Sequence, residues 1–221
     1  MDQGNTAFVL ISAALVLLMT PGLAFFYGGM VKAKSVVSMM MLSFGSLGLI
    51  AVLWVLYGFA ISFSNAGTGQ FYGIDGLFGI DLNSLGLTQQ VHDSLNPPEG
   101  ASYPSLAFVS FQATFAIITV ALISGAIADR ARFGSWMIFA GLWATIVYFP
   151  VASWIFNFTT EDGKVVDGGW LVYNIGVMDF AGGTVVEVAS GASALALALV
   201  LGKRFGFTKG MHAPHNVPLV L

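Results

Sequence analysis

Apolar residues in this chain neither alternate nor form the narrow stripes of amphipathic helices. They continue for twenty or more positions at a time, and polar residues gather between the runs. About 20 apolar residues at 1.5 Å each match the hydrocarbon thickness of a bilayer, and a helix satisfies its own backbone there. Five such runs predict membrane helices at about 6–31, 36–63, 104–128, 133–156 and 180–202. Residues 64–102 and 157–178 are long polar loops, 32–35 and 129–132 are short turns, and 203–221 is a polar tail. Pro21 and Pro150 interrupt the first and fourth runs and predict local helix distortion. The chain therefore reads as one membrane domain, residues 1–221, all-α and polytopic.

The fifth run is broken by one charged residue, Glu187. A carboxylate at membrane depth costs a few kcal/mol, and such groups normally face a cavity or a partner. Asp179, Gly183, Glu187 and Gly191 are spaced four apart, which on a continuous helix puts them on one face. Glu187 would then lie roughly 12 Å along the axis from Asp179. Two readings stand for Glu187: a structural carboxyl bonded to a neighbouring helix, or a group lining a polar or proton-conducting path. Intramembrane carboxylates default to the second. The small residues beside it also allow close helix packing, and that reading excludes neither.

Composition agrees with the pattern: 57% hydrophobic and 9% charged residues describe a membrane protein rather than a soluble domain. The chain has no cysteine, which excludes thiol nucleophiles and cysteine metal sites. The basic residues are few and scattered, so nothing points to nucleic acid. No arrangement suits an enzyme: there is no phosphate loop, catalytic triad or metal cluster, and no cofactor motif. His92 stands among acids in the first long loop, where a lone histidine reads as a solvated side chain. Lys32, Lys34, Arg130, Arg132, Lys203, Arg204 and Lys209 lie in the first, third and fifth connections, against Lys164 alone in the second and fourth. That bias predicts an external N-terminus, external loops at 64–102 and 157–178, and a cytoplasmic tail. Five spans ending after a polar loop suggest one half of a larger, truncated whole, because many transporters are built from two inverted halves.

Phe111 and Phe115 are four apart and share a helix face, with Gln112 beside them; core packing explains such a pair as readily as a site. Several stretches together nonetheless carry a family pattern: PGLAFFYGGMVKAKSVVSMM, FQATFAIITVALISGAIADRARF, DFAGGTVVEVASG with GKRFG, and APHNVPLVL. They resemble the first half of the Amt/Mep/Rh ammonium transporter family over nearly the whole chain.

The resemblance implies an eleven-helix fold of two five-helix inverted repeats, of which this chain supplies spans one to five. It implies a homotrimer in the cell (plasma or inner) membrane that conducts ammonium or ammonia, with methylammonium as analogue. A PII-type nitrogen-regulatory protein is a further implied partner. By the same resemblance, Trp143 matches the recruiting tryptophan of an outer cation–π site, Phe111 an aromatic near it, and Asp179 its supporting carboxylate. Phe115 matches one ring of a phenylalanine gate. Glu187 stands where most bacterial members have a pore histidine and some fungal members have glutamate. It keeps a titratable group but exchanges neutral or cationic states for neutral or anionic ones, and so reads as a pore or proton-relay residue. Some family members are ammonium sensors, which makes a regulatory membrane module the alternative function.

Overall fold

The computed structural model describes residues 1–64, 71–161, 164–204 and 213–221. Five helices among them are long and apolar enough to cross a membrane: Gln3–Met30, Ala33–Ser62, Ser105–Ile127, Phe133–Phe156 and Gly183–Leu201. They are called spans one to five below. Span one starts on Asp2, whose side chain accepts the Asn5 N–H at 2.7 Å and satisfies a free first-turn donor. It then continues through Pro21 without a break.

Span three is the centre of the bundle and packs on spans one, two and five. Its inward residues are small or branched, and Ala116, Val120, Ala121 and Ile123 are fully buried. Spans two and four join through a wide turn in each, Trp54–Gly58 and Ala144–Tyr148. Such π-turns open the helix, and the second lies just before Pro150, whose ring would otherwise crowd the carbonyl of Ile146. The Phe149 ring is buried between Trp54 (centroids 5.8 Å apart) and Tyr57 (5.9 Å). A Cβ on Gly58 would meet that ring at 2.6 Å, so a glycine is what lets the two helices approach. Tyr57 and Thr145 share a hydroxyl hydrogen bond of 2.8 Å across the same seam.

The long loops are not purely helical or irregular, and the all-α expectation needs correction here. Residues Phe71–Ile74 (β1) and Phe78–Asp81 (β2) form an antiparallel hairpin, and Phe158–Glu161 (β3) pairs with Lys164–Gly168 (β4) in another. A short loop helix, Thr88–Leu95, follows the first hairpin. The hairpins meet at one end of the bundle. Trp170 donates its backbone N–H to Gly76 O at 2.9 Å, Trp154 Nε1 donates to Leu77 O, and Asn157 Nδ2 donates to Ser64 O at 2.6 Å. These backbone groups lie outside the apolar spans, and pairing two strands with each other is how they are satisfied.

The opposite end carries Lys32, Lys34, Arg130, Arg132, Lys203 and Arg204; the two ends are called acidic and basic below. At the basic end Arg130 donates from one guanidinium nitrogen to Gly202 O at 2.5 Å and Ala198 O at 3.4 Å, capping the last carbonyls of span five. Asp129 accepts from Ser35 Oγ at 2.6 Å. His215 ties the final residues back to span one, its Nδ1 donating to Val31 O at 2.9 Å and its backbone N–H to Gly29 O at 3.1 Å. Lys209 and His212 lie outside the described residues.

Candidate functional site

The start of span five departs from a continuous helix. Gly182 has φ +88°, a left-handed conformation open to glycine, and the helix begins only at Gly183. The turn folds Asp179 back over the helix end. Its Oδ1 accepts the Gly182 N–H at 2.6 Å, and its Oδ2 accepts those of Thr184 at 2.8 Å and Val185 at 3.0 Å. One carboxylate thus satisfies three amides of the turn and the helix start and sets a negative charge against the positive helix end. Asp179 therefore caps span five and does not share a helical face with Gly183, Glu187 and Gly191. The predicted start near residue 180 missed the glycine turn.

Glu187 lies within the first, wide turn of span five, Gly183–Val188. It is exposed, and a Cβ at Gly183 or Gly191 would meet nothing within 4 Å. That side of span five is uncovered by the described residues. The Glu187 carboxylate has no hydrogen-bond partner among them.

Phe111 and Phe115 lie six and ten positions into span three from its acidic end. Their rings meet edge to face, centroids 5.0 Å apart at 85°, and both are half-buried. The Thr119 hydroxyl bonds back to Phe115 O at 2.5 Å. The aromatic pair and the capped start of span five stand on neighbouring helices at the same end of the bundle.

Trp143 does not join them, and its expected place in an outer recruitment site is corrected. It is buried thirteen residues from the acidic end of span four, about 20 Å at 1.5 Å per residue. Its Nε1 donates to Ser193 Oγ at 2.9 Å, ten residues into span five, and that hydroxyl bonds back to Ala189 O at 2.7 Å. Trp143 is a strut between spans four and five at mid-depth. The tryptophans at the acidic end are Trp154 and Trp170, in edge-to-face contact at 5.7 Å.

Together these groups form a row on spans three and five. A fixed carboxylate and an aromatic pair stand near one end, and a second, unpartnered carboxylate follows on a surface of small residues. Carboxylates favour cations, aromatic faces attract them, and a carboxylate can exchange a proton.

Comparison with known proteins covers almost the entire chain. Residues 7–221 match the model of the Ammonium Transporter Family. An ammonium transporter of Mycobacterium tuberculosis is 51% identical over all of this chain and 47% of its own length. The crystal structure of Saccharomyces cerevisiae Mep2 superposes with a TM-score of 0.79 at 32% identity, covering 100% of this chain and 46% of that one. A structure titled Sensor Amt Protein gives a TM-score of 0.79 at 26% identity, with 98% of this chain and 50% of that chain covered. The chain spans about half the length of the curated relatives it matches.

Proposed function

The chain belongs to the ammonium transporter family, and we propose that it forms one wall of an ammonium pathway through the membrane. The observation that carries the reading is Glu187: a carboxylate within an apolar span, on an uncovered small-residue surface, with no hydrogen-bond partner among the described residues.

In this reading the acidic end faces outward, with the N-terminus, and ammonium is concentrated there by Asp179 and the aromatic faces. An aromatic ring replaces part of the hydration of a small cation for about 0.5–2 kcal/mol. Asp179 acts through its field, because its oxygens already hold three amides. Phe111 lines the approach and Phe115 closes it, excluding water and larger hydrated cations. Trp143, deeper and bonded to Ser193, holds span five against span four so that Glu187 keeps its place. Glu187 then receives the proton released as ammonia moves on, or stabilises the cation directly. A trimer in the cell membrane and a PII-type partner at the basic end belong to the same reading, on family grounds.

The test is ammonium-evoked current on solid-supported membranes, with methylammonium uptake in parallel, using protein from the complete gene. Current and uptake in the unaltered protein, with current collapsing in Glu187→Gln, is the expected result. Unchanged current and uptake in the variant would reduce Glu187 to a packing residue. The resemblance to Sensor Amt Protein motivates a second reading, a sensor. It predicts saturable ammonium binding without current or uptake in the unaltered protein.

A further inference from the structure

Span five is the shortest of the five spans and, with span one, the least covered by the described residues. Of its regular part, Ala189–Leu201, only Ser190 is buried. Interlocked side chains are what resist the sliding and tilting of one helix on another, and here they are few. Polar ties from other elements therefore set its pose. One is at mid-depth, where Trp143 Nε1 of span four donates to Ser193 Oγ at 2.9 Å. The other is at the basic end, where Arg130 Nη1 donates to Gly202 O at 2.5 Å and to Ala198 O at 3.4 Å. Gly202 has φ +68° and ψ −159°, a region open to glycine, so span five stops there. Ala198 O is one of the four last carbonyls that a helix leaves without an internal partner.

Arg130 does not belong to the helix it caps. It stands in the turn between spans three and four, and that turn is itself held. The Arg130 backbone N–H donates to Ile127 O of span three at 2.9 Å, and Asp129 accepts from Ser35 Oγ of span two at 2.6 Å. Asp129 is left-handed, φ +60°, an uncommon state for a residue with a Cβ that persists where its surroundings enforce it. The guanidinium also leaves its Nε buried and without a hydrogen-bond partner while Nη1 holds span five. Arg130 thus fixes the end of span five relative to spans two and three. With Ser193 as the pivot, Gly202 lies nine residues to one side, about 14 Å, and Glu187 six residues to the other, about 9 Å. Any tilt that moves Gly202 moves Glu187 the opposite way by about two-thirds as much. We infer that Arg130 is a positioning residue for Glu187, setting the tilt of span five about the Trp143–Ser193 tie; this rests on the reading of Glu187 as part of an ammonium pathway.

The test compares protein from the complete gene, unaltered and as Arg130→Ala, by electron cryo-microscopy and by ammonium-evoked current. In the variant Gly202 should move by about 2 Å and Glu187 by about 1 Å in the opposite direction. Maximal current should fall on the order of tenfold, because small displacements of a reacting group are costly. The concentration for half-maximal current should not change, since Asp179 and the aromatic pair stand at the other end. Arg130→Lys keeps a donor for the same carbonyls and should restore both the position of Glu187 and most of the current. Where the alanine variant does not assemble, Arg130→Gln, with a shorter side chain and no charge, takes its place in the comparison. Glu187 staying in place while Gly202 moves would make Arg130 a local cap and overturn the inference. An undiminished maximal current despite a displaced Glu187 overturns it as well, as does a loss equal in the lysine and alanine variants. The current of Glu187→Gln tests the pathway reading separately. If that current is unchanged the pathway reading fails, while the displacement still decides whether Arg130 sets the position of residue 187.

Discussion

Asp179 offers a perturbation whose consequence can be worked out amide by amide. Asparagine in its place keeps one carbonyl oxygen. Placed where Oδ2 stands, that oxygen retains the Thr184 and Val185 amides and turns an NH2 group toward the Gly182 N–H. Alanine loses all three bonds. Losing a helix N-cap costs about 0.5–2 kcal/mol, and water substitutes partly here because Asp179 is only half-buried. The expected loss in local stability is about 1 kcal/mol for Asp179→Asn and about 2 kcal/mol for Asp179→Ala. Hydrogen exchange in the purified protein reads this directly, since each 1.4 kcal/mol of easier opening is about tenfold in rate. Thr184 and Val185 should exchange roughly 30-fold faster in the alanine variant. In the asparagine variant the Gly182 amide should be the most affected. Unchanged exchange at all three amides in Asp179→Ala would refute the cap. Equal acceleration at all three in Asp179→Asn would refute the division of labour between the two oxygens.

Two other predictions follow from the packing. Gly58→Ala puts a Cβ within 2.6 Å of the Phe149 ring and should destabilise by about 1–3 kcal/mol, read as a lower melting temperature; adding Phe149→Leu should recover part of the loss. Trp143→Phe and Ser193→Ala each remove the bond between spans four and five, at about 0.5–1.5 kcal/mol. The double variant should lose less than the sum of the two, and strict additivity in thermal unfolding would show that the strut carries no energy.

The site was partly legible in the chain. Glu187 announces itself because a charge inside an apolar run has no cheap explanation. The four-residue spacing of Phe111 and Phe115 brings their rings together on any helix, and they meet at 5.0 Å. The role of Asp179 was misread because periodicity assumes a continuous helix, and one left-handed glycine breaks it. Trp143 was misplaced for a different reason. A motif match carries no depth, whereas counting along span four puts that residue well below the acidic end.

The sequence by itself determined the five spans. Within an apolar run every backbone N–H and C=O must find its partner locally, so hydropathy and helix are one statement. It also determined that one end is basic and that Glu187 needs a reason to exist. Tertiary structure alone decided what lies beyond the reach of a single helix. It folded Asp179 onto the start of span five, linked Trp143 to Ser193 across fifty residues, and closed the polar loops into two hairpins. Each of these depends on where distant backbone and side-chain groups meet, and local pattern holds no record of that.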